Sequence, residues 1–158
     1  MKTIEGDLLA VPDGMICQQV NCKGVMGAGL AKAIRAKWPA VYTQYHQAYE
    51  QGRLILGEVI WVPVISDKQQ ILWVANICGQ YNYGHKGLYT TYPALQAGFR
   101  HVAANLYAWR KETGKEDLQA YVPWRIGCNL AGGDWDIVQH ILEEILPDAV
   151  IVKHPSAS

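Results

Sequence analysis

Residues 20–30 read Val20-Asn21-Cys22-Lys23-Gly24-Val25-Met26-Gly27-Ala28-Gly29-Leu30, and they join a strand-like run to a helix-like run through three glycines. We name 20–29 the first glycine loop. Glycines adopt backbone conformations that other residues avoid, and they let a ligand approach the main chain closely. The helix that follows would point its unpaired N–H groups and the positive end of its dipole at the same place. This pattern favours a site for a phosphate or another anion.

The composition limits both the fold and the partners. The chain has 158 residues, half of them hydrophobic, which suits one domain with a real core. Because 14 Lys and Arg residues balance 14 Asp and Glu residues, the net charge is zero, unlike that of proteins that grip nucleic acid through its phosphates. The start is acidic where a signal peptide would be apolar, and no segment has the length of a membrane span. We therefore expect one cytoplasmic domain over 1–158, frayed at 154–158.

The spacing of apolar residues predicts strands that alternate with helices. Two Val- and Ile-rich runs on either side of a polar turn, 58–64 and 70–76, are expected to pair antiparallel. The stretch 77–90, which we name the middle loop, is the longest irregular segment, and loops of that length are usually functional. The pattern predicts an α/β fold, with three layers and a mixed central sheet. Strands are predicted at the start of 3–9 and over 15–20, 58–64, 70–76, 119–123 and 149–152, and helices over 29–38, from Pro39 to Gly52, from Pro93 to Gly114 and over 134–146.

A second strand–loop–helix unit repeats the design of the first. Its loop, 125–133, reads Arg125-Ile126-Gly127-Cys128-Asn129-Leu130-Ala131-Gly132-Gly133 and is named the late glycine loop. Ligands of open α/β sheets bind outside the carboxyl ends of the strands, where both loops emerge. Together the loops could hold a diphosphate through backbone N–H groups. The glycine spacing matches neither a dinucleotide-binding G-x-G-x-x-G nor a P-loop. The residues alone therefore predict binding of a phosphorylated small molecule, with glycines that only make tight turns as the alternative.

The two glycine loops, together with Gly6-Asp7-Leu8 and Asp134-Trp135, resemble the motifs of macro domains, and the likeness covers nearly the whole chain. It is strongest to the branch with ADP-ribose 1″-phosphate phosphatases, terminal ADP-ribose protein glycohydrolases and DNA-ADP-ribose-removing antitoxins. The resemblance implies an α/β/α macro-domain fold that binds ADP-ribose and needs neither metal nor cofactor. It implies that the ligand is bound by Asp7, Leu8, Asn21, Gly24, Val25, Met26, Gly27, Gly29, Ile126, Gly127, Cys128, Asn129, Leu130, Ala131 and Gly132.

Two of these residues have specific roles by resemblance. Asp7 matches the aspartate that reads the adenine amino group, and the alternative is a turn residue at a strand end. Asn21 matches the asparagine at the distal ribose, where its amide would hold hydroxyl groups or orient a water. The alternative for Asn21 is an amide that bonds its own loop.

There are three catalytic candidates: Asn21 and Asp134, which match motifs of the family, and His85, a histidine of the middle loop. Some glycohydrolases of the branch use a lysine of the middle loop and an aspartate of the late glycine loop, but this chain has Ala131 at the aspartate position and no lysine directly after Cys78. Asp134 is either the N-cap of the last helix or a general base that activates water. His85 could exchange a proton near neutral pH, or it is a solvated loop residue.

The remaining notable side chains have ordinary interpretations. The four cysteines are scattered without the close pairs of a zinc site, so we read them as small buried residues, with ligand contact more plausible at Cys22 and Cys128. Tyr42, Tyr45 and Tyr49 have helical spacing and are interpreted as packing residues, as are Trp124 and Trp135. Lys23 is interpreted as exposed, and Tyr81 and Tyr83 either cover a ligand or pack on the surface.

Two functions follow from the resemblance. The first is a hydrolase that removes a group from the distal ribose of ADP-ribose, with the 1″-phosphate favoured over an ADP-ribosylated protein or nucleic acid. The sequence carries no metal motif, so water attack in a preorganised polar site is the expected chemistry. The second is a module that binds ADP-ribose without turnover, which the alanine at position 131 suggests.

Overall fold

The computed structural model describes residues 1–157. Strands and helices alternate along the chain, as the apolar pattern predicts. The strands are β1 (Lys2–Glu5), β2 (Gly14–Asn21), β3 (Val59–Ile65), β4 (Ile71–Gln80), β5 (Ala120–Pro123) and β6 (Val150–Lys153), and the helices are α1 (Gly29–Lys37), α2 (Pro39–Glu50), α3 (Tyr92–Thr113) and α4 (Trp135–Ile145).

The strands form one mixed sheet in the order β1-β6-β5-β2-β4-β3. Every neighbouring pair is parallel except β3 and β4, which pair antiparallel as predicted. The carboxyl ends of β1, β2, β4, β5 and β6 therefore lie at one edge of the sheet. This edge gathers Asp7, both glycine loops and the middle loop, which are far apart in sequence.

Helices cover both faces of the sheet, so the predicted three-layer arrangement is confirmed. The first layer, α1 and α2, buries Ile34 and Val41 against the sheet, and the second, α3 and α4, buries Phe99 and Leu142. Full burial of such a side chain contributes roughly 1.5–3 kcal/mol. The sheet residues beneath the first layer include Ile16, Val20, Val62 and Val74, and those beneath the second include Met15, Cys17, Ala75 and Ile77.

Strand β4 ends four residues later than predicted, at Gln80, and the prediction that 77–80 is irregular is wrong. Ile77 and Cys78 are fully buried and pair with Gln19 and Val20 of β2. Gly79 makes the stretch resemble a loop, but β4 requires a glycine at this position because an added Cβ would collide with the side-chain oxygen of Gln19. The middle loop therefore spans 81–91.

The end of the chain forms a turn after β6. The backbone N–H of Ala157 donates to the carbonyl oxygen of His154 at 2.8 Å. Of the end predicted to fray, 154–158, Ser158 lies outside the described residues. None of the helices within residues 1–157 combines the length and the apolar character that crossing a membrane requires.

Candidate functional site

Three adjoining cavities form a cleft along the carboxyl edge of the sheet. The inner cavity, about 330 Å³, is lined by Asn21 and His85, and the central cavity, about 190 Å³, by Gly29 and Gly127. The outer cavity, about 650 Å³, is lined by Asp7 and Leu8. The inner and central cavities share Gln19, Ala28, Ala31, Gln80, Leu130 and Ala131, and the central and outer cavities share Leu30, Pro123, Trp124, Arg125 and Asn129.

Asn21 lies at the end of β2, is only 8% exposed, and is held by several hydrogen bonds. Its side-chain nitrogen donates to the carbonyl oxygen of Val25 at 2.9 Å, and its side-chain oxygen accepts from the N–H of Lys23 at 2.9 Å. The hydroxyl of Tyr45 lies 2.6 Å from the backbone oxygen of Asn21 and 2.9 Å from its side-chain oxygen. Asn21 therefore bonds its own loop, as the alternative interpretation predicted, and it also lines the inner cavity. An amide nitrogen carries two N–H groups, so one remains for a ligand.

Helix α2 supports the first glycine loop from below. Tyr45 is fully buried, so its interpretation as a packing residue is correct but incomplete, since it also fixes Asn21. Burial raises the pKa of the Tyr45 hydroxyl, which therefore stays protonated and able to donate. At Gly24, with φ of +75°, an added Cβ would lie 2.7 Å from the ring of Tyr49. The loop thus rests directly on the tyrosine face of α2.

We expect Tyr45→Phe to lower the free energy of unfolding by about 1–2 kcal/mol, because it leaves a buried acceptor of Asn21 without its partner. Urea unfolding measures the change. The matched control is Tyr42→Phe, which removes a hydroxyl that lies 3.4 Å from His46 Nδ1 and does not reach Asn21. Equal losses in the two variants would contradict the role given to Tyr45.

The central cavity has the features of an anion site. Helix α1 begins at Gly29, its N-cap is Ala28, and no side chain caps it, so its first N–H groups are open towards the cavity that both residues line. Arg125 lines the same cavity and the outer one. Its φ of +64° is unusual for a residue other than glycine, and such conformations recur at functional sites. Unpaired N–H groups, the helix dipole and a guanidinium together favour a phosphate group.

The late glycine loop closes over the sheet through a polar network. Thr90 donates its hydroxyl to the carbonyl oxygen of Gly127 at 2.5 Å, and the side-chain nitrogen of Gln19 donates to Thr90 Oγ1 at 2.9 Å. Gly127 has a φ of +74°, and an added Cβ would lie 2.9 Å from the side-chain oxygen of Gln19. Only glycine fits this turn. The contacts with Gln19 and Thr90 therefore fix the position of the late glycine loop above β2.

The middle loop is attached to the late glycine loop and carries His85 to the inner cavity. The backbone N–H groups of Tyr89 and Thr90 both donate to the carbonyl oxygen of Ala131, at 2.7 and 3.2 Å. Tyr89 also donates its hydroxyl to the carbonyl oxygen of Lys86 at 2.7 Å, which folds the loop around its ring. His85 itself is exposed and lines the inner cavity together with Asn21.

Asp134 is the N-cap of α4, as one of its two interpretations predicted. Its side-chain oxygen accepts from the N–H of Asp136 at 2.9 Å, and its own N–H donates to the hydroxyl of Tyr92 at 2.9 Å. Asp134 is exposed and does not line the inner, central or outer cavity. Its role as a general base stays a prediction.

We expect Asp134→Ala to lower the free energy of unfolding by about 1 kcal/mol, whereas Asp134→Asn should leave it nearly unchanged, because asparagine caps a helix as well as aspartate does. Chemical unfolding of both variants checks this. A similar loss in both would show that the charge, rather than the cap, stabilises the helix.

The structure brings most of the predicted ligand residues to the cleft, but not all of them. Gly24, Met26, Cys128 and Gly132 do not line its three cavities. Met26 is 1% exposed, and Gly132 packs against Gly87 of the middle loop. These two residues therefore support the conformations of the loops without lining the cleft. The predicted residues that line the cleft are Asp7, Leu8, Asn21, Val25, Gly27, Gly29, Ile126, Gly127, Asn129, Leu130 and Ala131.

The cysteines are buried free thiols, which confirms their interpretation as small buried residues. Burial raises the pKa of Cys17 and of Cys78 to about 12. Burial, opposed by Arg125 and assisted by Asp134, raises the pKa of Cys128 to about 11. These three side chains therefore stay protonated and unreactive at neutral pH.

Sequence reasoning missed Gln19, Gln80 and Arg125 as cleft residues. A signal existed for the glutamines: a polar residue at the carboxyl end of an otherwise apolar, buried strand points to the site at that end. Gln19 and Gln80 are bonded to each other, with Gln19 Nε2 donating to Gln80 Oε1 at 2.9 Å. For Arg125 the signal was a cationic residue in a loop predicted to bind phosphate, whereas its positive φ was not predictable because it depends on the turn that Gly127 completes.

No protein-family model matches the chain. Parts of it are similar in sequence to two kinds of ADP-ribose enzyme. One is the ADP-ribose 1″-phosphate phosphatase of Aspergillus oryzae, 47% identical over 47 residues, which are 29% of this chain and 23% of that protein. Another is the DNA ADP-ribosyl glycohydrolase of Mycobacterium bovis, 35% identical over 57 residues, which are 36% of this chain and 16% of that protein. The chain thus spans less than a quarter of either relative.

Solved structures match the chain over nearly its full length. A protein of unknown function from Bacteroides thetaiotaomicron has a TM-score of 0.78 and 30% identity, with 97% of this chain and 96% of that one covered. The macrodomain of Mycobacterium tuberculosis DarG has a TM-score of 0.74 and 24% identity over 99% and 97% of the two chains. Thermosipho africanus DarTG, solved in complex with ADP-ribose, has a TM-score of 0.75 and 21% identity over 98% of this chain and 42% of that one.

Proposed function

We propose that this chain, which has the fold of the macrodomain structures, binds ADP-ribose along its cleft and hydrolyses a bond at the distal ribose. The proposal rests on the order of the three cavities: the central cavity, which is lined by the N-terminus of α1 and by Arg125, lies between the inner and the outer cavity. That order suits a ligand whose diphosphate lies between an adenosine and a second ribose. The T. africanus structure, which was solved in complex with ADP-ribose, and the names of the two enzyme relatives support the same ligand.

The outer cavity would hold the adenosine end of the ligand. Asp7 lies at its margin with its side-chain oxygen accepting from the N–H of Leu9 at 2.9 Å, an arrangement that leaves the second carboxylate oxygen for the adenine amino group. Leu8 is 6% exposed and offers an apolar contact. The diphosphate would then lie on the N-terminus of α1 between the two glycine loops.

The inner cavity would hold the distal ribose and the bond to be cut. Asn21 would orient the ribose hydroxyls or the attacking water, and His85 would take a proton from that water or give one to the leaving oxygen. These roles rest on the shared cavity and on the fixed orientation of Asn21. For the leaving group we favour the 1″-phosphate over an ADP-ribosylated protein or nucleic acid. We propose that the protein is located in the cytoplasm.

A second function, binding without turnover, is favoured by one observation. Among residues 1–157, no Asp or Glu side chain lines the inner cavity, and Ala131 stands where some glycohydrolases have an aspartate. A module of this kind would hold ADP-ribose through the same contacts and would leave its bonds intact.

Turnover assays separate the two functions. The purified protein is incubated with ADP-ribose 1″-phosphate, with ADP-ribosylated protein and with ADP-ribosylated DNA, and release of phosphate or ADP-ribose is followed. We expect release from the 1″-phosphate, and tight ADP-ribose binding without release from any of the three would leave the binding module. Asp134→Asn is included because it keeps the cap: retained turnover supports the purely structural role, and lost turnover with unchanged stability would make Asp134 the base.

A further inference from the structure

Three of the six tryptophans line a cavity that lies away from the cleft. This tryptophan cavity, about 320 Å³, lies between α3 and the amino ends of β2 and β4, with Met15 at its base. The cleft, in contrast, lies at the carboxyl ends of the same strands. The tryptophan cavity is lined by Met15, Trp61, Trp73, Asn105, Ala108, Trp109 and Glu112.

Strand pairing sets two walls of the tryptophan cavity. Trp61 pairs with Ala75 and Pro63 pairs with Trp73, so the two tryptophans are diagonal neighbours on one face of the sheet. Their ring centroids are 6.5 Å apart and their planes are inclined at 81°. Both side chains are partly exposed. Two nearly perpendicular indoles form a corner that a third ring can close.

Helix α3 supplies the third ring and, within residues 1–157, the only charged side chain of the lining. Asn105, Ala108, Trp109 and Glu112 follow one another at helical spacing, so they share one face of α3. The small side chain of Ala108 leaves the space open between Trp109 and the strands. Glu112 is the one charged side chain among the lining residues in the described part of the chain.

Most of these walls are apolar and aromatic, so they favour a cation whose own surface is apolar. The face of an indole attracts a positive charge more strongly than do the other aromatic rings. Glu112 adds a favourable charge at the rim, whereas no Lys or Arg lines the cavity within residues 1–157. If the cavity were only a gap left by imperfect packing, it would bind charged and neutral apolar groups equally well. The affinities of a cation and of its neutral isostere therefore test the inference.

We infer that the tryptophan cavity binds the quaternary ammonium group of a small molecule. Its volume is at the lower end of the range for small-molecule cavities, about 300–1,000 Å³, which leaves room for a trimethylammonium group and the rest of a small molecule. The site is separate from the cleft and independent of what the cleft binds.

The test compares choline with its neutral isostere 3,3-dimethylbutan-1-ol, using ¹⁵N-labelled protein and the indole N–H signals. We expect choline to shift the signals of Trp61, Trp73 and Trp109 saturably and to bind at least about fivefold more tightly than the isostere. Equal affinity for the two compounds, or shifts only at other tryptophans, would overturn the proposal. A trimethyllysine peptide that bound tenfold more tightly than choline would overturn the assignment to a small molecule.

Three variants locate the binding. Ala108→Leu fills the cavity and should weaken choline binding at least tenfold, while the spectrum outside the cavity stays unchanged and shows that the fold is intact. Glu112→Gln removes the charge and should weaken binding by about threefold, as expected for an exposed ion pair. Glu143→Gln, an exposed residue of α4, is the matched control and should have no effect. Undiminished choline binding by Ala108→Leu would contradict the site.

Discussion

His85→Ala should lower the turnover of ADP-ribose 1″-phosphate by about 100-fold, the loss expected when a proton-transfer group is removed. His85 is the only histidine that lines the inner cavity within residues 1–157. Because it is exposed and held there by the loop backbone, its removal should leave ADP-ribose affinity almost unchanged. A fall in kcat with a constant dissociation constant is the signature of a group that acts in the transition state.

The control for this variant is His140→Ala. His140 lies on α4, far from the inner cavity lining, with its ring nitrogen 3.2 Å from Glu144 on an exposed helix face. Its loss should change neither kcat nor affinity. If His85→Ala and His140→Ala both retained full turnover, the proton would have to move through another group, and the role given to His85 would be wrong.

Gly132→Ala should lower both stability and ADP-ribose affinity. Gly132 has a φ of +75°, and an added Cβ would collide with the carbonyl oxygen of Gly87. The obstacle is backbone, so the middle loop and the late glycine loop must separate at the point where Tyr89 and Thr90 bond to Ala131. We expect a loss of about 2–4 kcal/mol in the free energy of unfolding. We also expect at least a tenfold loss of affinity, measured by calorimetry.

Gly114→Ala separates the two causes of that loss, which are backbone strain at a positive φ and the collision with Gly87. Gly114 also has a positive φ, +71°, but no atom of residues 1–157 lies within 4 Å of an added Cβ, and it ends α3 away from the cleft. This control therefore carries the backbone strain without the collision, and it should cost about 1–2 kcal/mol and leave affinity unchanged. Equal effects of the two variants on affinity would contradict the proposed contact between the loops.

Local sequence patterns predicted the fold well because each pattern depends only on residues that are close together in the chain. Glycines flanked by a strand and a helix identified both glycine loops, and apolar spacing identified the helices. Asp134 directly before an apolar helix indicated an N-cap, and the structure has it there. The parallel sheet then places the predicted loops at one edge, so most of the predicted ligand residues line one cleft.

The predictions from the sequence failed where residues that are far apart in the chain determine the structure. Gly79 looks like a loop residue, yet it lies in β4, where it has to be glycine because the side chain of Gln19 occupies the space of a Cβ. Tyr45 has the spacing of a packing residue, and only the fold reveals that its hydroxyl reaches Asn21 from 24 positions away. His85 reaches the inner cavity because Tyr89 fixes its loop, a contact that no local pattern contains.

The most direct test of the account is isothermal titration calorimetry of the protein with ADP-ribose. We expect saturable binding of one ligand per chain, weakened by Gly132→Ala and unaffected by Gly114→Ala. The absence of binding to the wild-type protein would contradict both the hydrolase and the binding module.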